Sequence, residues 1–281
     1  MSIMHGEDYL RLNEKVTIYY RFWKAYKPKD VIVGVHGLAE HGGRYGHIGR
    51  FFASKGYSFY IADNRGHGKS SGERGYIDKF YDFIEDLDNF ITKVLSWEKR
   101  EQIILFGHSM GGLIALYYTL KFPEKVKAII VSGPSLLPGE SLKSWTITIL
   151  KIISIIYPKY KPNIRVDPTL LTHDEEVVKE YVEDPLVFKE FTIRLGVEIL
   201  KAGEYVLKNA HKIKKPILIL HGSEDKIVSP DSSRIFFEKC GSEIKELKIY
   251  DGLYHEILNE ENKEEILNYI VNWLDKTISE I

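Results

Sequence analysis

The chain has 281 residues, with 39 basic and 40 acidic side chains and a net charge of −1. This balance gives the protein no general electrostatic attraction to nucleic acid or to an anionic membrane. With 44% hydrophobic and 28% charged residues, the composition excludes a disordered or fibrous chain. The length fits one large domain, or one domain with a sizeable insertion.

The single cysteine, Cys240, excludes an intrachain disulfide and gives no sign of an oxidising compartment. The first ten residues are polar and acidic and do not resemble a signal peptide. Because no apolar run reaches the ~18 residues of a membrane span, we expect a cytoplasmic protein. The chain is rich in Ile, Lys, Glu and Tyr and has one glutamine, a bias typical of proteins from high-temperature organisms.

Short apolar runs alternate with helical patterns along most of the chain. The first predicted strands pair over residues 9–22, and the later ones cover 31–35, 57–62, 103–106, 127–131, 216–220 and 246–250. Amphipathic patterns predict helices over 44–55, 78–97, 109–121, 231–239 and 261–278. This alternation predicts an α/β fold, with a mostly parallel central sheet covered by helices on both faces.

The segment between Gly133 and Lys215 breaks the alternation, since it holds six of the ten prolines and no clear strand. We interpret residues 134–211 as a helical cap, inserted into a core domain formed by residues 1–133 and 212–281. Residues 145–157 are almost entirely apolar and predict a helix of about 20 Å, too short to cross a bilayer. We expect one face of this helix to contact lipid. The side chains expected to line a narrow apolar tunnel are Trp145, Ile149, Ile152, Ile153 and Ile156.

Two pentapeptides fit the pattern G-x-S-x-G, at residues 68–72 and 107–111. A nucleophilic serine of this type lies on a sharp turn between a strand and a helix, which exposes its hydroxyl. Ser109 has a predicted strand before it and a predicted helix after it. Ser70 lies within a glycine-rich loop, and we interpret it as a turn residue. The predicted nucleophile is therefore Ser109.

A serine hydroxyl needs an adjacent base, and the base needs an orienting acid. In this arrangement the chain order is serine, acid, histidine. The predicted strand 216–220 leads to two carboxylates, of which we choose Asp225, with Glu224 as the rival. His255 follows the last predicted strand, and no other histidine lies C-terminal to Asp225. His255 is therefore the predicted base.

Acyl transfer also requires two backbone N–H groups that bind the negative oxygen of the tetrahedral intermediate. One belongs to the residue after the nucleophile, which is Met110. The other belongs to the loop that follows the strand 31–35, where we choose Leu38. Because only the backbone amides are needed, the side chains of both residues would only shape the pocket.

Four segments resemble the monoacylglycerol lipase and lysophospholipase group of the α/β-hydrolases: HGLAEHGGRY (36–45), DNRGHGKS (63–70), GHSMGG (107–112) and HGSED (221–225). The resemblance covers nearly the whole chain and is weakest in the cap. It implies the α/β-hydrolase fold and cleavage of a monoglyceride to glycerol and a fatty acid. It also implies that Arg44, and Glu140 at the cap entrance, hold the glycerol end. Some relatives carry a second histidine where this chain has Leu258, which leaves head-group recognition open.

Several functions remain open at this point. The chain could be a monoacylglycerol hydrolase with an acyl-enzyme on Ser109, a lysophospholipase or general carboxylesterase with the same triad, or an acyltransferase that uses an alcohol acceptor. A binding module without catalysis is disfavoured by the complete set of serine, acid and histidine. The expected partners are a small lipid and, through the cap, a lipid surface, but no nucleic acid. The sequence does not indicate an oligomeric state.

Other motifs are incomplete. The tripeptide 68–70 resembles the end of a Walker loop, but Asp63 stands where that loop needs a glycine. Three histidines among the early glycines, His36, His41 and His47, lack the spacing of zinc ligands. We therefore predict no cofactor and no metal.

Overall fold

The computed structural model describes residues 3–137, 144–162 and 166–280, with the backbone alone for 144–147. Eight strands of this part of the chain form one sheet in the order β1-β2-β4-β3-β5-β6-β7-β8. The strands are β1 (Met4–Arg11), β2 (Thr17–Lys24), β3 (Asp30–Val35), β4 (Tyr57–Ala62), β5 (Ile103–His108), β6 (Val126–Ser132), β7 (Ile217–Gly222) and β8 (Lys245–Tyr250). Strands β3 to β8 are parallel, whereas β2 is antiparallel to both of its neighbours.

Helices cover both faces of the sheet. They are α1 (Gly46–Ser54), α2 (Tyr81–Glu98), α3 (Met110–Lys121), α4 (Ser144–Ile156), α5 (Glu175–Glu183), α6 (Ile193–Asn209), α7 (Pro230–Lys239) and α8 (Lys263–Glu280). Side chains of β5 alternate between two cores: Ile103 and Leu105 pack in the core with α2 and α3, while Ile104 and Phe106 pack in the core with α1 and α8. This alternation follows from the two-residue repeat of a strand. The predicted parallel sheet with two covered faces is confirmed.

The segment between β6 and β7, which we call the cap segment, contains α4, α5 and α6, and no strand in its described residues. Helix α6 packs against α3, and its residues Leu195, Ala202 and Val206 join the core on that face of the sheet. Backbone hydrogen bonds also tie the cap segment to the loops after β3 and β8, from Phe188 N to Ala39 O (3.2 Å) and from Glu256 N to Leu171 O (2.7 Å). The predicted domain limits at 134 and 211 stay a prediction.

The main local difference from expectation is α5, which the apolar pattern did not predict. Its apolar repeat is short, but Asp174 marks its start, because the carboxylate of Asp174 accepts hydrogen bonds from Glu176 N and Val177 N. The helix expected over 44–55 begins two residues later, since residues 42–45 form a 3₁₀ turn. None of the helices described is long and apolar enough to cross a membrane.

Candidate active site

Ser109 occupies a strained turn between the last residue of β5 and the first residue of α3. Its backbone angles are φ 54° and ψ −121°, a left-handed conformation that few non-glycine residues adopt. The flanking glycines are required because a Cβ on Gly107 would lie 2.4 Å from Gly111 O. A Cβ on Gly111 would lie 2.0 Å from Val35 O. The turn is the nucleophile elbow that the sequence predicts.

The structure brings together the serine, the acid and the histidine expected from the sequence. Ser109 Oγ lies 2.9 Å from His255 Nε2, and His255 Nδ1 lies 2.6 Å from Asp225 Oδ2. The Nδ1–H therefore donates to the carboxylate, which leaves Nε2 as the acceptor for the serine hydroxyl. The three residues follow β5, β7 and β8, whose carboxyl ends meet at one edge of the sheet.

Asp225 is held as a carboxylate by a full set of donors. Its two oxygens accept hydrogen bonds from His255 Nδ1, His221 Nε2, Ile227 N and Val228 N. Burial alone would raise its pKa, but the attraction of His255 and the hydrogen bonds from both histidines hold the pKa well below its ordinary value. The rival carboxylate, Glu224, is exposed to solvent. The geometry favours Asp225 as the acid.

His221 is a buried partner of Asp225 that sequence reasoning missed. Its Nε2 lies 3.0 Å from Asp225 Oδ2 and 3.1 Å from Val228 O, and both of these oxygens are acceptors. The proton therefore resides on Nε2, and Nδ1 accepts the hydroxyl hydrogen of Ser233 at 2.7 Å. The sequence signal was available, because His221 is the last residue but one of β7 and opens the HGSED segment.

Two buried histidine rings meet beside Ser109, and their proton affinities differ. Burial would lower the pKa of His255, but the Asp225 carboxylate, assisted by Glu256 and Glu40, raises it above its ordinary value of 6.5. The ring of His108 lies 4.8 Å away, and burial together with His255 lowers the pKa of His108 to about 4. At neutral pH His108 is uncharged, and His255 is the ring suited to accept a proton.

The loop after β3 approaches the nucleophile from the other side. A Cβ on Gly37 would lie 3.2 Å from Ser109 Cβ, and both Leu38 and Met110 line the cavity beside Ser109. The carboxylate of Glu40 closes this loop by accepting a hydrogen bond from Gly37 N at 2.6 Å. The oxyanion role of the Leu38 and Met110 amides stays a prediction.

A cavity of about 530 Å³ opens onto Ser109 and His255. This volume lies within the range of about 300–1,000 Å³ that small-molecule sites occupy. Most of its wall is aliphatic and belongs to the cap segment, including Leu137, Leu150, Leu171, Ile193, Val197 and Leu200. A second hydroxyl, Ser135 Oγ, lies 3.2 Å from Ser109 Oγ in the same cavity and was not predicted from the sequence. The site combines the hydrogen-bonded Ser109–His255 pair with an apolar chamber.

The expected tunnel lining from α4 is wrong in detail. Ile149, Ile152 and Ile156 are exposed to solvent, and Ile153 is half-buried and does not line the cavity. Among the described side chains of α4, Leu150 lines the cavity, since successive helix residues point about 100° apart and neighbouring positions therefore face different surroundings. The side chain of Trp145 lies outside the described part of the structure.

Arg44 does not line the large cavity, and its expected role at the glycerol end stays a prediction. Its guanidinium donates two hydrogen bonds of 2.7 Å to Glu256 and one of 2.8 Å to Glu40. It lines a separate cavity of about 20 Å³. Glu256 was missed because it lies 212 positions away in the chain. The other expected head-group residue, Glu140, lies outside the described residues, and its role stays a prediction.

The remaining motif residues have structural partners. Ser70 Oγ donates to Asp63 O at 2.5 Å and accepts from Tyr19 N at 2.8 Å, as a buried turn residue does. His36 Nε2 accepts from Asn64 N at 2.8 Å. Across residues 3–137, 144–162 and 166–280, no group of three or more His, Cys, Asp or Glu side chains could hold a metal ion.

Comparisons with known proteins identify the family and the relatives of this chain. The family model described as serine aminopeptidase, S33, matches residues 26–262. A monoacylglycerol lipase of Mycolicibacterium smegmatis is 30% identical over 261 residues, which are 92% of this chain and 93% of that protein. An uncharacterized abhydrolase domain-containing protein of Dictyostelium discoideum is 32% identical over 272 residues, which are 96% of this chain but 29% of that longer protein.

The crystal structure of a monoacylglycerol lipase from Paleococcus ferrophilus matches with a TM-score of 0.82 and 31% identity. The match covers 99% of this chain and 100% of that one. The fold, the family model and the relatives therefore all indicate the same family of hydrolases. The chain belongs to the serine aminopeptidase S33 family and is a serine ester hydrolase of the α/β-hydrolase fold, in the group of the monoacylglycerol lipases.

Proposed function

We propose that the enzyme hydrolyses monoacylglycerol to glycerol and a free fatty acid, through an acyl-enzyme on Ser109. The observation that carries this proposal is the aliphatic cavity of about 530 Å³ that ends at the Ser109–His255 pair. An ester with one acyl chain can bury that chain in the cavity and present its carbonyl to Ser109. The monoacylglycerol lipases among the similar proteins support the same substrate class.

In the first half of the reaction, His255 Nε2 takes the proton of Ser109 as Oγ attacks the ester carbonyl. Asp225 keeps the Nδ1–H of His255 in place and stabilises the imidazolium. The amides of Leu38 and Met110 bind the oxyanion. When the intermediate breaks down, His255 returns the proton to the departing glycerol oxygen. The acyl group remains on Ser109.

In the second half, water attacks the acyl-enzyme while His255 Nε2 takes one proton of that water. As the second tetrahedral intermediate breaks down to the fatty acid, His255 returns this proton to Ser109 Oγ and restores the hydroxyl. Arg44 has no direct part in these steps, because its guanidinium is enclosed by Glu40 and Glu256. No step needs a cofactor.

The cavity also provides a basis for selectivity. Each CH₂ moved from water into an apolar environment contributes about 0.8 kcal/mol, so a long chain gains more from this chamber than a short one. A triacylglycerol would have to place two further chains outside the cap segment. We therefore propose medium- to long-chain monoacylglycerols as substrates and triacylglycerols as poor ones.

The exposed surface of the cap segment supports contact with a lipid surface. Ile152, Ile155 and Ile156 on α4 are exposed, as are Tyr157 and Tyr160 directly after it. Lipid is the occupant that fits this apolar patch, because the proposed substrate resides in micelles or bilayers. We propose a cytoplasmic enzyme that binds lipid peripherally; its single cysteine is buried and free, as suits a reducing compartment.

The decisive experiment compares initial rates on a monoacylglycerol, a lysophospholipid, a triacylglycerol and p-nitrophenyl butyrate, with Ser109→Ala as the blank. We expect the highest kcat/KM on the monoacylglycerol and little turnover of the triacylglycerol. A preference for the lysophospholipid would reject the proposed head group. Comparable triacylglycerol turnover would reject the single-chain cavity.

A further inference from the structure

Two buried carboxylates, those of Glu40 and Glu256, share the guanidinium of Arg44. Arg44 holds Glu256 with two hydrogen bonds and Glu40 with one, and the three side chains are 10% exposed or less. Burial would raise the pKa of both carboxyls, but the attraction of Arg44 holds both below their ordinary value. The cluster therefore carries two negative charges and one positive charge. Stability alone does not favour this arrangement, since desolvating a charge costs several kcal/mol.

One end of the cluster holds the loop after β3. Glu40 Oε1 accepts hydrogen bonds from Gly37 N at 2.6 Å and from the hydroxyl of Tyr45 at 2.7 Å. Gly37 directly precedes Leu38, the proposed oxyanion donor. The position of the Leu38 amide therefore depends on the carboxylate of Glu40.

The other end holds the loop of the catalytic histidine. Glu256 directly follows His255, and its carboxylate is fixed by Arg44 and by Asn259 Nδ2 at 2.7 Å. The ring of Tyr181, from the cap segment, covers the Arg44 guanidinium with its centroid 4.9 Å away. Arg44 thus connects Glu40, which holds the residue before Leu38, to Glu256, which directly follows His255.

We propose that the Glu40–Arg44–Glu256 cluster is a positioning device for the hydrolysis. It fixes the loop after β3, which we call the oxyanion loop, relative to His255. Its net negative charge stabilises the imidazolium that forms on His255. This inference rests on the proposed function, because it acts through the chemistry of Ser109 and His255. It assigns Arg44 to the support of the catalytic groups rather than to the substrate.

The charges around His255 favour the electrostatic part of this role. Asp225, Glu256 and Glu40 are the carboxylates that raise the pKa of His255, and the neighbouring His108 is neutral. When one carboxylate of the cluster is neutralised, Arg44 keeps a single charged partner, and the net charge of the cluster becomes zero. His255 would then bind its proton less tightly, and the imidazolium of the transition state would lose stabilisation.

Two substitutions test the two parts of this role together. Glu256→Gln removes one charge and, because an amide has only one acceptor oxygen, keeps only one of the two hydrogen bonds from Arg44. We expect it to move the acid limb of kcat/KM for p-nitrophenyl butyrate down by about one pH unit and to lower kcat about tenfold. Arg44→Lys keeps the charge but loses the two-pronged bond to Glu256. We expect its acid limb to stay in place, kcat to fall about tenfold and KM to change by less than about twofold.

Arg65→Lys serves as the matched control. Arg65 makes an equivalent two-pronged pair with Asp86, at 2.5 and 2.6 Å, that belongs to neither catalytic loop. This variant should lower Tm without changing the acid limb or kcat. If Glu256→Gln does not fold, Glu40→Gln replaces it: one charge and the hydrogen bond from Arg44 are lost, while the amide oxygen can still accept from Gly37 N. The same downward shift is then expected.

An acid limb that stays in place in the carboxamide variant would overturn the electrostatic role. The geometric role fails if Arg44→Lys raises KM for a monoacylglycerol but leaves p-nitrophenyl butyrate turnover unchanged, since Arg44 would then hold the head group. If both variants match the wild type, the whole inference is wrong. A wild-type enzyme without esterase activity would instead refute the proposed function.

Discussion

The exposed apolar patch on α4 can be tested by placing one charge in it. Ile155 is 71% exposed, so a change there removes little packing within the protein. Fully burying an isoleucine contributes about 1.5–3 kcal/mol, and the exposed fraction of Ile155 makes about 1–2 kcal/mol of this available to lipid. Ile155→Glu should therefore weaken partition onto vesicles by a factor of about 5 to 30.

The assay measures co-sedimentation with phosphatidylcholine vesicles and hydrolysis of a monoacylglycerol carried in them. Turnover of soluble p-nitrophenyl butyrate is followed in parallel, since that ester needs no lipid surface. We expect Ile155→Glu to reduce vesicle binding and vesicle-borne turnover while the soluble ester is cleaved at the wild-type rate. Tyr26→Glu is the matched control, because Tyr26 is 68% exposed and lies before β3, at the edge of the sheet opposite the active site.

Two results would contradict this reasoning. Equal losses on the soluble and the vesicle-borne ester would mean that α4 maintains the cavity rather than the contact with lipid. Equal losses of binding in Ile155→Glu and Tyr26→Glu would mean that added negative charge alone weakens binding, wherever it is placed.

Three further predictions concern the catalytic groups. Ser109→Ala should lose several powers of ten in kcat and all labelling by a fluorophosphonate, whereas Ser70→Ala should keep its labelling and lose about 1–3 kcal/mol of unfolding free energy through its two buried hydrogen bonds; the reverse labelling pattern would exchange the two roles. Asp225→Asn should lower kcat about 10⁴-fold with the fold intact, while Glu224→Gln stays near wild type, and a crippled Glu224→Gln would identify the other acid. Because Asp225 raises the pKa of His255, activity should fall on acidification with a midpoint above pH 6.5, and a midpoint below that value would contradict the charge environment described here.

The grouping of Ser109, Asp225 and His255 could be predicted from the sequence, because all three residues lie at or near strand ends. Each of Ser109, Asp225 and His255 follows a recognisable strand, and parallel strands bring their carboxyl ends to one edge. Gly107 and Gly111, two residues to either side of Ser109, indicated the sharp turn in the sequence. These signals need no knowledge of distant contacts.

The side chains that hold the catalytic loops could not be predicted, because they depend on ion pairs between residues that are far apart in the chain. Nothing near Arg44 indicates that Glu256 will occupy its guanidinium. The apolar run of α4 showed a helix but not its rotation, so the inward stripe at Leu150 could not be told from the exposed isoleucines. Rotation of a nearly all-apolar helix is set by its neighbours rather than by its own pattern.

The hydrogen bonds between the cap segment and the core limit how the enzyme can open. Phe188 N is bound to Ala39 O beside the oxyanion loop, and Glu256 N beside the catalytic histidine is bound to Leu171 O. A cap segment that moved away from the core as one rigid unit would break both bonds, and the two loops would keep only the contacts made within the core. The cap segment is thus coupled directly to both loops, so a displacement of the cap segment would be transmitted to the residues beside Leu38 and His255.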